Sequence, residues 1–524
     1  MKWHDSPSGR GARPVACLAV VLGLSAVVVA SGCATYERAG NDVERAVADW
    51  QRRQVRVSSS AVEVSTTQPA SKAPPNLVTE RSSPATAPPT ASDERLPAHI
   101  RDALERNPSV QAAVANVEAK LARIPQMTAL PDPLLRAIVR PEPIQTAAGD
   151  VYFTLGVGQK IPFPAKLDRA GRAAAAEVRM AIEQLNATRL RIIADVERAY
   201  YSLYLMDRGI ELTAANRALL EDLEQVVSTQ YQVGRVPQQD VLRVQTAAAK
   251  LRDDESRYRL RRASAAAALN QIMDYPVARP HPVTEVLDVE AVALDVEKLI
   301  GLAEEHNPEL AGLAEQLNRD QERIELARLG YWPDVTLGFE WSHLEGREAF
   351  QPPPNPQTGI VPPFNRASEN GDDNWAITVQ MNLPVWFQRI EAAKREARRN
   401  LLKTQHQTRS TRNLIGFRIY DAWTRVETQQ QTVRLLRSTL IPQAQQTYEV
   451  TLTGYQAGET NFLNVIDSWR RWLDFELMLH RETVDLETAF SELQREVGLQ
   501  LVRRTQRSGA TEASHVANDA TNEE

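Results

Sequence analysis

The chain of 524 residues has only two cysteines, Cys17 and Cys33, and both lie near the N-terminus. That excludes a disulfide framework or a cysteine-based metal site in the main body. No apolar run beyond residue 33 approaches the roughly 20 residues that a membrane-spanning helix needs. The formal net charge of −6 is mild and no basic stripe interleaves with aromatics, so nucleic acid is not an expected partner. His-Glu-x-x-His, a phosphate loop and Gly-x-Ser-x-Gly are all missing. His281, His306, His343, His406 and His480 are scattered without ligand spacing, and the seven methionines form no cluster. The pattern therefore offers no catalytic residue, no metal ligand set and no cofactor site. Helix breakers are scarce too: residues 385–454 hold one proline, Pro442, and two glycines.

What is present begins with a targeting signal. Lys2, Arg10 and Arg13 precede an apolar run from Val15 to Ala30, and the small residues Ser31 and Gly32 lead to Cys33. This reads as a signal peptide over 1–32. The tetrad Ala30-Ser31-Gly32-Cys33 resembles a bacterial lipobox. The resemblance implies that Cys33 is acylated and, with Ala34 after it, that the chain is sorted to the outer membrane. An ordinary signal peptide or a single anchor helix is the competing reading. Residues 33–95 read as a lipidated segment with a short amphipathic helix over 36–55 and a Ser/Thr/Pro-rich tether. Residues 504–524 read as a disordered polar tail.

Two stretches alternate with period two. Trp375, Ile377, Val379, Met381 and Leu383 share one face and Ala376, Thr378, Gln380 and Asn382 the other, until Pro384. Val151, Phe153, Leu155, Val157 and Ile161 do the same against Tyr152, Thr154, Gly156, Gly158 and Lys160, until Pro162. Each is an amphipathic strand, stopped by proline and followed by a very long helical stretch. Pro162 and Pro384 thus mark strand-to-helix junctions. A further strand is expected before each: Val335–Ser342, and a weaker Leu134–Val139 crowded by Arg136, Arg140 and Pro141.

These elements belong to an internal duplication. Ala103–Pro108 matches Ala303–Pro308, Ile161-Pro162 matches Leu383-Pro384, and Tyr231-Gln-Val-Gly234 matches Tyr455-Gln-Ala-Gly458, all in the same order. The growing offset places an insertion in the second copy, the Pro/Asn/Gly-rich stretch 345–374. The expected organisation is repeat one over 96–280, a linker over 281–295 and repeat two over 296–503. Each repeat reads helix, strand, strand, long helix, tight turn, returning helix, with opening and returning helices at 98–123 and 235–273 in the first.

The long helices carry coiled-coil spacing. Ile182, Leu185, Arg189, Ile192, Val196, Ala199, Leu203, Met206 and Ile210 step by three and four, as do Ile415, Ile419, Ala422, Val426, Gln429, Val433, Leu436 and Leu440. Pro442 should kink or break the second. About seventy helical residues reach roughly 105 Å, which suggests a tall antiparallel bundle with the strands at one end. The fold class is therefore mainly α with a small β part. In lipid, amphipathic strands survive only in a closed barrel of about eight strands or more. Four strands per chain would then have to share one barrel with other copies. A soluble sheet over a hydrophobic core is the alternative, and Trp341, Trp375 and Trp386 near strand ends favour the membrane.

The duplication, the Leu383-Pro384 junction and the Tyr455-x-x-Gly458 turn resemble the TolC-like outer-membrane efflux family over residues 96–502. That resemblance implies a homotrimer with a shared barrel in the outer membrane and a helical tunnel through the periplasm. It implies a periplasmic adaptor and an inner-membrane transporter as partners, beside the outer-membrane lipid. It also implies that the helix-reversal turns at Gly234 and Gly458 form a periplasmic gate, with Asp240, Tyr455 and Asp467 at gate positions. Thr460 and Asn464 stand where the best-known member carries Arg and Asp. Thr cannot make the charged fork of arginine, so closure here is expected to rest on Tyr455 hydrogen bonds or on packing. For Gly234 and Gly458 a purely structural role in reversing the helix is a complete alternative, as a solvated helix face is for Asp467. The expected function is a passive exit duct of a tripartite efflux or type I secretion system; the alternatives are a non-conducting periplasmic coiled-coil spacer lipoprotein and an anchored hydrolase.

Overall fold

A computed structural model of the chain describes residues 62–63, 95–146, 148–287, 294–346, 354–360 and 371–502. The expected signal peptide, Cys33, the helix over 36–55, nearly all of the tether and the tail lie outside the described residues. The elements are β1 (Val62–Glu63), α1 (Arg95–Arg106), α2 (Pro108–Thr128), β2 (Leu134–Thr146), β3 (Gly149–Ile161), α3 (Pro164–Gln232) and α4 (Gln238–Ile272). Then follow α5 (Val296–His306), α6 (Pro308–Arg328), β4 (Val335–Glu345), β5 (Asn374–Met381), α7 (Phe387–Leu435), α8 (Ile441–Ala457), α9 (Phe462–Val497) and β6 (Leu501–Val502). The chain is mainly helical with a small antiparallel sheet. It divides into two compact units: one holds Val117–Met180 and Leu313–Gln407, the other Ala181–Gly312 with the described parts of Gln51–Asn116 and Thr408–Glu524.

The first unit carries the four-stranded sheet, in the order β2-β3-β4-β5. Leu134 lies opposite Gly158 in the first hairpin, and Thr336 opposite Gln380 in the second, so both hairpins keep one register. Alternation then builds two unlike faces. Leu135, Val157, Phe339 and Ile377 form one cross-strand row, and Ala137, Leu155, Trp341 and Trp375 the next. On the other face Arg136, Gly156 and Glu340 align, as do Ile138, Thr154, Ser342 and Asn374. There Thr154 hydrogen-bonds Ser342 at 3.0 Å, and Arg136 lies 3.8 Å from Glu340. The apolar face is open: Leu135 is 75% exposed, Ile377 60% and Val379 65%. Among the described residues no core covers it, which favours the membrane reading of the sheet over the soluble one.

Three expectations need correction. β2 does not stop at Val139; it runs through Pro141 and Pro143 to Thr146. It is an edge strand, where proline's missing N–H breaks no ladder, and a register shift between Val139 and Ile144 absorbs the misfit. β4 likewise continues past Ser342 to Glu345. The expected opening helix is two helices, parted at Asn107 in repeat one and Asn307 in repeat two. A residue before proline avoids helical backbone, and Asn307 is extended (φ −68°, ψ 120°).

The second unit shows what that break does. Asn307 Oδ1 accepts the N–H groups of Glu309 (2.8 Å) and Leu310 (3.2 Å), capping α6, while its Nδ2 donates to Glu496 O (2.7 Å) near the end of α9. Asn107 repeats this with the Ser109 N–H (2.8 Å) and Ile272 O (2.7 Å). Both asparagines are buried. α9 then turns off at Gly498 (φ 87°), where a Cβ would lie 2.6 Å from His306 O, so no side chain fits. The heptad residues are where the spacing put them: Leu185, Ile192, Val196 and Leu203 in α3 and Ile415, Ile419, Ala422, Val426 and Val433 in α7 are buried. Pro442 has the expected effect in a particular form. α7 loosens into a π-helical segment, Leu436–Leu440, just before Ile441-Pro442, which accommodates the ring and missing N–H without ending the helix. The described part of the linker is docked: Asp207 accepts from the Thr284 N–H (2.9 Å) and hydroxyl (3.0 Å), and Arg208 donates to Thr284 O (2.9 Å).

Asn307→Ala removes a cap and leaves the Glu496 carbonyl buried without its donor. A loss of about 2 kcal/mol is expected, read as a lower temperature for loss of helical circular dichroism; an unchanged curve would mean that the tie carries no stability.

Candidate functional site

The two helix reversals share one backbone device. In the first, Arg235 N–H donates to Gln230 O (2.9 Å) and Gly234 N–H to Tyr231 O (2.9 Å); in the second, Glu459 N–H reaches Gly454 O (2.8 Å) and Gly458 N–H reaches Tyr455 O (3.0 Å). This is a Schellman closure, with Gly234 at φ 75° and Gly458 at φ 80°. A Cβ at either would meet nothing within 4 Å, so the demand for glycine comes from the left-handed backbone alone.

The side chains make the turns unlike. Asn461 caps α9 by accepting the Asn464 N–H at 3.1 Å, and Asn464 Nδ2 donates to Thr460 Oγ1 at 2.9 Å. Thr460 and Asn464 are thus brought together at the exposed start of α9. Pro237 holds the corresponding place before α4 and offers no side-chain cap. Asp240 stands in the first turn of α4, where burial pushes its carboxyl up and Arg243 pulls it back only in part. Tyr455 lies in the apolar cluster that joins the two hairpins, with Leu223 and Val227 of α3, Val244 of α4, and Phe462 and Trp469 of α9. Its ring centroid is 5.2 Å from that of Phe462. Burial first, and the Asp240 charge second, push the hydroxyl up to about 12. That hydroxyl is buried and, among the described residues, has no hydrogen-bond partner. Within the chain Tyr455 is held by packing. Asp467 is exposed on α9, 3.9 Å from Arg470, a spacing and exposure that make the pair weak.

The strand-to-helix junctions after Pro162 and Pro384 meet at one residue that motif reading missed. The Asp334 carboxylate accepts the Phe163 N–H (3.1 Å) and Lys166 Nζ (2.7 Å), with Lys160 at 3.4 Å. Its own N–H donates to Asn382 Oδ1, and Asn382 N–H returns to Asp334 O (3.3 Å). Burial opposes the ionised carboxyl, but the Lys166 and Phe163 hydrogen bonds and the lysine charges outweigh it and hold Asp334 below the usual carboxylate value. Phe163 stacks on Trp332 at 4.9 Å, and Tyr331 on Phe387 at 6.2 Å. Trp332 and Trp386 stay exposed. The signal was a repeated dipeptide, Pro131-Asp132 and Pro333-Asp334.

Among the described residues no helix is long and apolar enough to cross a membrane, and no group of three or more His, Cys, Asp or Glu side chains could hold a metal ion.

Comparison with known proteins adds the following. Residues 99–274 and 299–499 match the family described as outer membrane efflux protein. The chain is 22% identical over 382 residues to the cobalt-zinc-cadmium resistance protein CzcC of Cupriavidus metallidurans, covering 72% of this chain and 83% of that one. It is 23% identical over 391 residues to the toluene efflux pump outer membrane protein TtgF of Pseudomonas putida, covering 71% and 76%. Among solved structures, the outer-membrane channel OprN superposes with a TM-score of 0.63 at 15% identity, over 78% of this chain and 91% of that one. The outer membrane protein VceC of Vibrio cholerae gives 0.63 at 19%, over 78% and 97%.

Replacing Tyr455 by Phe removes a buried hydroxyl that has no partner among the described residues. The variant should be as stable as the parent or more so, by up to about 1 kcal/mol, read as an equal or higher melting temperature. A clear drop would reveal a partner supplied by another copy.

Proposed function

This chain belongs to the outer membrane efflux protein family and is an outer-membrane exit duct, and from that premise we propose how it works. Three copies pool their four-stranded sheets into one barrel, and solutes delivered by a periplasmic adaptor and an inner-membrane transporter pass through it without input of energy from the duct. The observation that carries this is the open apolar face of the sheet, with Leu135, Ile377 and Val379 exposed. A non-conducting coiled-coil spacer has no use for that face. The relatives' names attach to chemically unlike cargoes, metal ions and toluene, which suits a duct that accepts what its pump delivers.

The repeats span 96–280 and 296–503, joined by the 281–295 linker. Cleavage of 1–32 would leave Cys33 at the head of the tether for acylation; each buried acyl methylene contributes roughly 0.8 kcal/mol of anchoring. The turns at Gly234 and Gly458 form the gated end. There Tyr455 packs the two hairpins of one chain together with the Asp240 charge near it, Thr460 and Asn464 hold the start of α9, and a ring of Asp467 from three copies draws cations to the opening.

Planar-bilayer recording of the purified protein tests this. Discrete, cation-preferring channels are expected, and Asp467→Ala should weaken the cation preference. A protein that assembles but never conducts would overturn the duct, whereas conduction unchanged by Asp467→Ala would remove only that residue from the gate.

A further inference from the structure

The repeat register of the sheet says what belongs beside β5. The correspondence that carries Leu134 and Gly158 onto Thr336 and Gln380 also carries Asp132 onto Asp334, and Phe163 and Lys166 onto Val385 and Gln388. Within one chain the β3–β4 seam is complete: Ile161 lies opposite Val335, and Asp334 takes the Phe163 N–H and Lys166. The matching seam would join β5 to β2, and the chain leaves these two strands as the open edges of its sheet. Among the described residues the side chains of the matching clamp are idle there. Asp132 is exposed and, among the described residues, makes no hydrogen bond or ion pair; Arg389 makes no ion pair. The Val385 N–H, counterpart of the one that Asp334 accepts, turns back on Leu383 O at 2.9 Å.

Resting on the trimer reading above, we propose that a second copy of this chain completes the repeat-two junction. Asp132 of that copy accepts the Val385 N–H and sits against Gln388 and Arg389, the place Asp334 holds against Phe163 and Lys166 within the chain. Carrying the β3–β4 register across sets Met381 opposite Leu135, Val379 opposite Ala137 and Ile377 opposite Val139 of the second copy. All six belong to the apolar face. A slip of one residue would set Met381 against Arg136 or Leu134 and turn one strand's apolar face onto the other's polar face. The junction between copies is also the weaker of the two kinds. Gln388 stands where repeat one has Lys166, so the ammonium–carboxylate ion pair of the Asp334 clamp becomes a hydrogen bond from an uncharged amide to a carboxylate, which keeps only one of the two charges.

Cysteine pairs test the geometry. Asp132→Cys with Gln388→Cys should oxidise to a covalent trimer in heated, non-reducing gels, while each single variant does not. Lys166→Cys with Asp334→Cys, the same pair within one chain, serves as the control and should close without linking copies. A separate readout needs no new thiols: Gln388→Lys, which copies repeat one, should raise the temperature at which the assembly dissociates, and Asp132→Asn should cancel that gain. If the mass is that of a trimer and the control pair closes, but the inter-copy pair never does and Gln388→Lys changes nothing, the inference falls while the trimer stands. A chain that never assembles removes the reading on which it rests.

Discussion

A strand edge in hydrocarbon leaves N–H and C=O groups that cost several kcal/mol each, and the sheet of this chain has two such edges, β2 and β5. The rest of the molecule answers to that cost. The open apolar face binds the sheet to lipid, and lipid forbids the open edges, so a single copy is unfinished by its own chemistry. Outer membrane efflux proteins form trimers, and three four-stranded sheets are enough to close a barrel where one is not.

The duplication repeats one solution to a second problem, that of ending helices without orphaned backbone groups. Asn107 and Asn307 each cap a helix and hold the end of the returning helix. Gly234 and Gly458 each reverse the chain at positive φ. At these positions backbone geometry decides the residue type, so both copies kept it. The gate positions are under no such demand. Asn461 caps one returning helix and Pro237 precedes the other without a cap, and Asp240 in one copy corresponds in position to Asn464 in the other. The divergence falls at the turns where the gate is proposed.

Much of this was legible because it is periodic. Alternation pointed to the strands and their faces, although β5 ends at Met381, two residues short of Leu383, and steps of three and four pointed to the buried seams of α3 and α7. What was not legible depends on neighbours outside the local pattern. Prolines at 141 and 143 argue against a strand unless that strand is known to lie at an edge. A buried tyrosine hydroxyl without a partner has no signature in sequence, and Tyr455 was expected to hydrogen-bond as readily as to pack. Asp334 joins Phe163 and Lys166 across 171 and 168 residues of chain and Asn382 across 48, and only the repeated Pro-Asp dipeptide announced it. Pro442 lay between: a break was foreseeable, its relief through Leu436–Leu440 was not.

Amide hydrogen exchange of the solubilised protein, resolved to single strands, tests the central claim most directly. If copies close one barrel, Leu134–Val139 in β2 and Asn374–Met381 in β5 will exchange as slowly as the inner strands β3 and β4. Fast exchange along both edges, with β3 and β4 protected, would mean that the sheet stays open and that the closed-barrel account is wrong.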